Sequence, residues 1–169
     1  MRILILFIFF ITSAFSKDIS PSKNIVLSKE LKFYEDLSFF DENKEKKIEI
    51  KNIKNKIIIL NFWASWCGPC KEEMPSLDKL QANPNLDLVI FPINVGGDDI
   101  QKSKKFFSDL KIKNLQIYYD TDFSLAKKLS LRGVPTSILL NKEGKEFARV
   151  IGVVDFLDPK ILDWLSNYD

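Results

Sequence analysis

The sequence predicts an α/β fold, with a central mixed β-sheet flanked by helices. Two continuous apolar runs, residues 57–63 ("IIILNFW") and 86–94 ("LDLVIFPIN"), are typical of strands buried on both faces. A helical pattern follows each run, and strands that alternate with helices indicate an α/β domain. Two further strand-like segments surround a Gly-containing turn near the end of the chain, which predicts antiparallel pairing as well.

The other elements are predicted from periodicity and capping signals. A Lys-rich stretch over residues 41–56 predicts a turn and a short edge strand with a solvated face. Asp98 and Asp99 are interpreted as caps of a helix, and the glycines before them as a turn, since the spacing of a phosphate-binding loop is absent. In chain order, the remaining predictions are a helix over 69–82, a strand over 115–119, a short helix over 122–129, strands over 136–141 and 146–152, and a helix that starts after Asp158 with Pro159 in its first turn.

Three segments are predicted along the chain of 169 residues. Residues 1–16 have a single Arg, an apolar run and small residues at a cleavage site, which predicts a signal peptide or, if uncleaved, a short N-terminal anchor. Residues 17–30 are polar and are predicted to be a linker. Residues 31–169 form one predicted domain. Export would take the chain to the periplasm or another oxidising compartment.

Composition limits the classes of partner. The net charge is only +2, so the sequence lacks the basic excess expected of a protein that binds nucleic acid. No cofactor is predicted, and the expected assembly is a monomer.

The two cysteines, Cys67 and Cys70, form a CxxC pair in a chain without histidine. A zinc site takes about four ligands, so the pair would need carboxylates or a second subunit to complete one. A structural disulfide here would close a very short loop and stabilise little. Redox chemistry fits best, because Pro69 suits the first turn of a helix whose N-terminus would stabilise a thiolate on Cys67. Cys70, one turn later, could then attack a mixed disulfide on Cys67.

The segment "FWASWCGPCK" resembles the active-site motif of thioredoxins, and Gly133-Val134-Pro135-Thr136 resembles their cis-proline loop. The chain is more narrowly similar to the exported TlpA/ResA group, because of the leader, Asn61, "KEEMP" after the cysteines, and a strand–helix insertion at about residues 86–110. This resemblance implies a thioredoxin-like fold with that insertion following the active-site helix.

The resemblance also implies roles for residues around the cysteines. A cis Val134–Pro135 bond would face them, and the backbone of Val134 would pair with an extended client segment. Gly68, Pro69 and Thr136 belong to the same two motifs and are predicted to contact the client. We expect Trp66 to be an exposed client contact and Trp63 to lie in the core.

Glu73 is the predicted proton acceptor for the Cys70 thiol. Thioredoxins have a buried Asp where this chain has Asn61, which cannot titrate. Glu73 lies one helical turn after Cys70 and matches an acidic residue of the TlpA/ResA group. A solvent-exposed Glu in the first turn would be the structural alternative; for Glu72 that alternative is preferred.

The sequence therefore predicts an exported thiol:disulfide reductase. By resemblance, its clients would be haem-attachment thiols of apocytochromes c or cysteines of copper-site assembly proteins, and a membrane thiol donor would re-reduce it. A disulfide-forming oxidase or isomerase of the same fold and a non-catalytic client-binding module remain open as alternatives. A thiol peroxidase is disfavoured, since it would need a further cysteine.

Overall fold

A computed structural model describes residues 20–168, so the predicted signal peptide lies outside the described residues. Within this range the strands are β1 (Ile25–Lys32), β2 (Ser38–Phe40), β3 (Lys47–Glu49), β4 (Ile57–Trp63), β5 (Leu88–Asn94), β6 (Tyr118–Tyr119), β7 (Thr136–Leu140) and β8 (Glu146–Ile151). The α-helices are α1 (Gly68–Gln81), α2 (Ile100–Asp109), α3 (Ser124–Lys128) and α4 (Pro159–Ser166), and a single 3₁₀ turn covers Ile50–Asn52.

The strands form one mixed sheet in the order β1-β8-β7-β4-β5-β6-β2-β3. β4 pairs in parallel with β5 and antiparallel with β7, and β5 pairs in parallel with β6. The hairpin β7–β8 and the edge strand β1 extend the sheet in antiparallel fashion. The predicted mixed sheet and the strand–helix pair after α1, now β5 and α2, are confirmed.

The central strand β4 is buried over its whole length, because helices cover both faces of the sheet. Its alternate side chains enter two separate cores. Ile57, Ile59 and Trp63 pack with apolar residues of α1, α2 and α4. Ile58, Leu60 and Phe62 pack on the other face with residues of α3 and the N-terminal segment. Burial on both faces explains why this strand has a continuous apolar run instead of an alternating pattern.

The predicted linker over residues 17–30 is wrong in its second half, where β1 begins at Ile25. Ile25 is buried and pairs with Val150 of β8. The rest of β1 is partly or fully exposed, as expected of an edge strand with one free side. Its polar side chains suggested a linker, although its backbone is hydrogen-bonded to β8.

The predicted strand over 115–119 is reduced to two residues in β6. The segment before it bonds to α1 instead of to a strand: Asp78 Oδ1 accepts hydrogen bonds from the backbone N–H groups of Lys113, Asn114 and Leu115, at 3.1, 2.6 and 3.1 Å. The N–H of Leu115, where the predicted strand would begin, is therefore not available to a neighbouring strand, and only Tyr118 and Tyr119 pair with β5.

Candidate active site

The cysteine pair lies where β4 passes through a short loop into α1. Cys67 is the N-cap of α1, and its Sγ accepts a hydrogen bond of 3.1 Å from the backbone N–H of Cys70. The predicted position of Cys67 at the helix N-terminus is confirmed, and the two sulfurs form a disulfide. A helix begins here because Pro69 fits its first turn, where a missing N–H costs nothing.

Both cysteines are buried, with exposures of 3% for Cys67 and 1% for Cys70. Their surroundings are open, because Gly68 and Pro69 are exposed and Trp66 has 67% of its surface in solvent. A partner sulfur would therefore have to approach Cys67 over the exposed surface of Trp66, Gly68 and Pro69. Trp63 is fully buried, with its ring 4.5 Å from that of Phe106, so the expected locations of both tryptophans are confirmed.

The loop that contains Pro135 lies at the same end of the sheet as the cysteines. β4 runs antiparallel to β7, and Phe62 is paired with Thr136, so the end of β4 and the start of β7 are adjacent. The Val134–Pro135 bond is cis, as the resemblance implies. Thr136 Oγ1 donates to the carbonyl of Gly133 at 2.8 Å and closes the loop on itself.

An open groove of about 590 Å³ runs beside this loop. It is lined by residues 130–136 and by Arg149, Ile151 and Gly152, in and just after β8. Val134 is half-buried, whereas Pro135 and Thr136 are buried. The groove gives an extended segment room to lie alongside the loop.

Glu73 is buried beneath the helix rather than exposed in its first turn. Only 2% of its surface is accessible. Its Oε2 accepts a hydrogen bond of 2.9 Å from Asn61 Nδ2, and its Oε1 accepts one of 3.3 Å from the backbone N–H of Val154. Burial raises the pKa of Glu73 to about 7, and the two hydrogen bonds offset only part of that increase. Glu72, the preceding residue of α1, is exposed.

Asn61 can serve both protonation states of Glu73. Its Nδ2 donates to Glu73 and, at 2.9 Å, to Ser137 Oγ, whereas its Oδ1 is buried without a partner among the described residues. An amide presents donors at one end and an acceptor at the other. Turning the amide over would offer Oδ1 to a protonated Glu73. The arrangement therefore allows a proton to reside on this carboxyl.

The interpretation of Asp98 as a helix cap is wrong. Asp99 caps α2, with its Oδ1 accepting from the backbone N–H of Lys102 at 2.7 Å. Asp98 is buried and instead bonds to Ser65, two residues before Cys67. Burial acts to raise the pKa of Asp98, but hydrogen bonds from Lys102, Ser65 and Asn94 outweigh it and hold the pKa below its ordinary value. The sequence shows Asp98 only as an Asp next to Asp99, the residue that caps α2, and gives no indication of its contact with Ser65.

The family model described as Redoxin matches residues 28–156. Thiol-disulfide oxidoreductase ResA of Bacillus anthracis is 34% identical over 115 residues, which cover 63% of this chain and 61% of the relative. The chain thus spans less than two thirds of the length of such curated relatives.

Solved structures agree with the fold. The crystal structure of StoA from Bacillus subtilis is 29% identical, covers 76% of this chain and 96% of its own, and has a TM-score of 0.61. A secreted thiol-disulfide isomerase from Corynebacterium glutamicum is 25% identical, covers 87% of this chain and 93% of its own, and has a TM-score of 0.68. The mixed sheet and its helices are therefore arranged as in thioredoxin-like proteins.

Proposed function

The chain belongs to the Redoxin family, and from that premise we propose that it is a thiol-disulfide oxidoreductase that reduces disulfides in exported client proteins. One observation carries the proposal: Cys67 Sγ caps the N-terminus of α1 and is bonded to Cys70 one turn away. The unpaired N–H groups of a helix N-terminus favour negative charge, and the thiolate is the reactive form of cysteine.

In the first step the Cys67 thiolate attacks one sulfur of the client disulfide. A new S–S bond joins Cys67 to the client, and the other client sulfur leaves as a thiolate that takes up a proton. Trp66, Gly68 and Pro69 form the exposed surface that would contact the client around the attacked sulfur. Val134, Pro135 and Thr136 border the groove in which a client segment would lie.

In the second step Cys70 resolves the mixed disulfide. Glu73 accepts the proton of the Cys70 thiol, and the resulting thiolate attacks Cys67 Sγ. The Cys67–Cys70 disulfide forms, and the second client sulfur is released and protonated. Two electrons have then moved from the dithiol to the client. A pKa of about 7 suits Glu73 to this task, because a general base works best when its pKa is close to the working pH.

The direction of exchange depends on the reduction potential relative to the compartment. The Gly68-Pro69 dipeptide resembles that of reducing thioredoxins, which supports reduction. Equilibration of the pair with glutathione tests this assignment: a strongly oxidising potential would indicate a disulfide-forming oxidase or isomerase instead.

The same resemblance supports the finer parts of the proposal. Clients would be thiol pairs that must be reduced before they bind haem or copper, and a membrane thiol donor would return electrons to the oxidised pair. The chain would act as an exported monomer, either free after cleavage of residues 1–16 or tethered by them. Among residues 20–168, no helix is long and apolar enough to cross a membrane.

Reduction of insulin disulfides by the full chain, with dithiothreitol as electron source, tests the activity. We expect turnover by the native chain and none by Cys67→Ser, since the attacking sulfur is lost. A Trp66→Ala variant keeps both sulfurs and serves as the folded control, with turnover reduced only through weaker client binding. Equal turnover by the native chain and Cys67→Ser would reject the proposed function in favour of a binding module.

A further inference from the structure

We propose that Asp98 is a positioning residue that holds the cysteine loop, residues 64–67, against the connection between β5 and α2. The inference deepens the proposed exchange activity and rests on it. Asp98 Oδ2 accepts a hydrogen bond of 2.8 Å from the backbone N–H of Ser65, and Oδ1 accepts one of 2.6 Å from Ser65 Oγ. The carboxylate thus binds both the main chain and the side chain of one loop residue.

The carboxylate is itself held from two other directions. Asn94 Nδ2 donates to Oδ2 at 2.8 Å, and Lys102 Nζ pairs with Oδ1 at 2.7 Å. Asn94 is the last residue of β5 and lies beside Trp63 in the parallel ladder, so this support extends to the end of the strand that leads to the cysteines. Lys44, in the connection between β2 and β3, donates to the Asp98 carbonyl at 3.0 Å.

Gly96 provides a second contact between the same two segments. A Cβ atom at this position would lie 2.6 Å from Ala64 Cβ, 3.0 Å from Asp98 Oδ2 and 3.2 Å from Trp66 Nε1. The first distance is far below van der Waals contact, and Ala64 has no flexible side chain that could move away. The absence of a side chain at Gly96 therefore allows the β5–α2 connection to approach the cysteine loop closely.

The loop held in this way carries the two groups that a client would meet. Ser65 precedes Trp66, the exposed aromatic residue, and Cys67, the residue whose sulfur attacks. Fixing Ser65 limits the positions that Cys67 Sγ can take relative to a bound disulfide, and misplacement of reacting atoms by about 1 Å can cost up to a hundredfold in rate. The charge of Asp98 is paired with Lys102, which reduces its repulsion of a thiolate on Cys67.

The test measures how fast the reduced chain attacks insulin and, separately, iodoacetamide. Both rates are measured at a pH high enough that they no longer change with pH, so that differences in thiol ionisation do not contribute. In Asp98→Ala we expect attack on insulin to slow by about tenfold, with a smaller change for iodoacetamide, since a small reagent needs less exact placement. Gly96→Ala changes no charge but places a methyl group against Ala64. It should lower the ratio of the insulin rate to the iodoacetamide rate as well.

Asp99→Ala is the matched control, because it removes the cap of α2 and leaves the contacts of Ser65 intact. Each variant is compared only where circular dichroism shows it to be folded. An insulin-to-iodoacetamide ratio that falls in Asp98→Ala and Gly96→Ala but not in Asp99→Ala supports the inference. A native ratio in folded Gly96→Ala, or an equal fall in Asp99→Ala, overturns it.

Hydrogen exchange of the Ser65 amide separates this inference from the proposed function. Its protection should fall at least tenfold in Asp98→Ala, because the acceptor of that N–H is removed. Protection that is unchanged overturns the positioning role even if the native chain reduces insulin. If the native chain does not reduce insulin, but the Ser65 amide loses protection in Asp98→Ala, the proposed function is rejected and the positioning role is kept.

Discussion

Glu73 and Asp98 are both carboxylates buried next to the cysteine segment, with exposures of 2% and 3%, yet their surroundings differ. Glu73 accepts hydrogen bonds from an amide side chain and one backbone N–H, and no cation pairs with it among the described residues. Asp98 accepts from Ser65 and Asn94 and forms an ion pair with Lys102. Burial determines the pKa shift of Glu73, whereas for Asp98 the hydrogen bonds together outweigh burial.

The difference teaches that burial alone does not assign a role to an acidic residue. The pKa of Glu73 is raised to about 7, so this carboxyl can bind and release a proton near neutrality. The pKa of Asp98 is lowered, so this carboxylate stays ionised and keeps its hydrogen bonds. One group is suited to proton transfer and the other to fixing geometry.

The largest expected effect is on the pH dependence of stability. The pKa of Glu73 is about 7 in the folded chain and 4.5 as the reference for the unfolded chain. The folded state therefore binds more protons than the unfolded state between these values, and its stability should fall as the pH rises from 4.5 to 7. The shift corresponds to about 3 kcal/mol of unfolding free energy. Glu73→Gln should remove this loss, as measured by urea unfolding at pH 5 and pH 8.

Glu72→Gln is the control, since Glu72 is exposed on the same helix and should keep the native pH profile. Asp98 should contribute in the opposite direction. Its folded pKa lies below the reference of 3.8, so its stabilisation is complete above that pH and is lost as the pH falls further. Parallel pH profiles for the native chain and Glu73→Gln would contradict the contrast between the two carboxylates.

The second effect is on resolution by Cys70. Glu73→Gln removes the proton acceptor, so release of client from a mixed disulfide on Cys67 should slow by about a hundredfold at neutral pH, within the range of general base catalysis. The measurement is single-turnover release of a fluorescent peptide disulfide. Formation of the mixed disulfide should change much less, because Glu73 does not act on Cys67. Normal release in Glu73→Gln would remove the proposed role of this residue.

The smallest effect tests the cation beside Asp98. Lys102→Met should destabilise the chain by about 1 kcal/mol or less, because Lys102 is 55% exposed and Asp98 keeps its other hydrogen bonds. It should also raise the pH at which acid unfolds the chain. Lys105→Met removes an exposed pair with Asp109 on the same helix and is the matched control. If both variants raise the pH of acid unfolding equally, the Lys102 ion pair does not account for the lowered pKa of Asp98.

Local patterns predicted the parts of the fold whose causes are local. Burial, helix capping and turn geometry each require particular residue types at neighbouring positions. They predicted the strand over 57–63, the start of α4 at Asp158-Pro159 and the turn between β7 and β8. β1 and β6 were misjudged because distant partners determine them. The pairing of β1 depends on β8, and the N–H of Leu115, at the predicted start of β6, is bound by the Asp78 carboxylate of α1.

The candidate site divides in the same way. The placement of Cys67, Cys70 and Trp66 followed from a contiguous motif, and Glu73 is buried as a proton acceptor would be, not exposed as in the structural alternative. Asp98 was missed because its contact with Ser65 spans 33 residues of sequence. Two adjacent aspartates gave no sign of which one would cap the helix. The hydrogen bond from Val154 to Glu73 was missed as well, because its donor is a backbone N–H, which almost any residue type would supply.

The central claim is that Cys67 attacks and Cys70 resolves. The most direct test compares the two single-cysteine variants, Cys70→Ser and Cys67→Ser, in their rate of reaction with dithiobis(nitrobenzoate) at neutral pH. We predict that Cys70→Ser, which retains Cys67 at the helix N-terminus, reacts at least about tenfold faster, because the N–H groups at that end of α1 stabilise its thiolate. Equal rates, or a faster reaction of Cys67→Ser, would contradict the account.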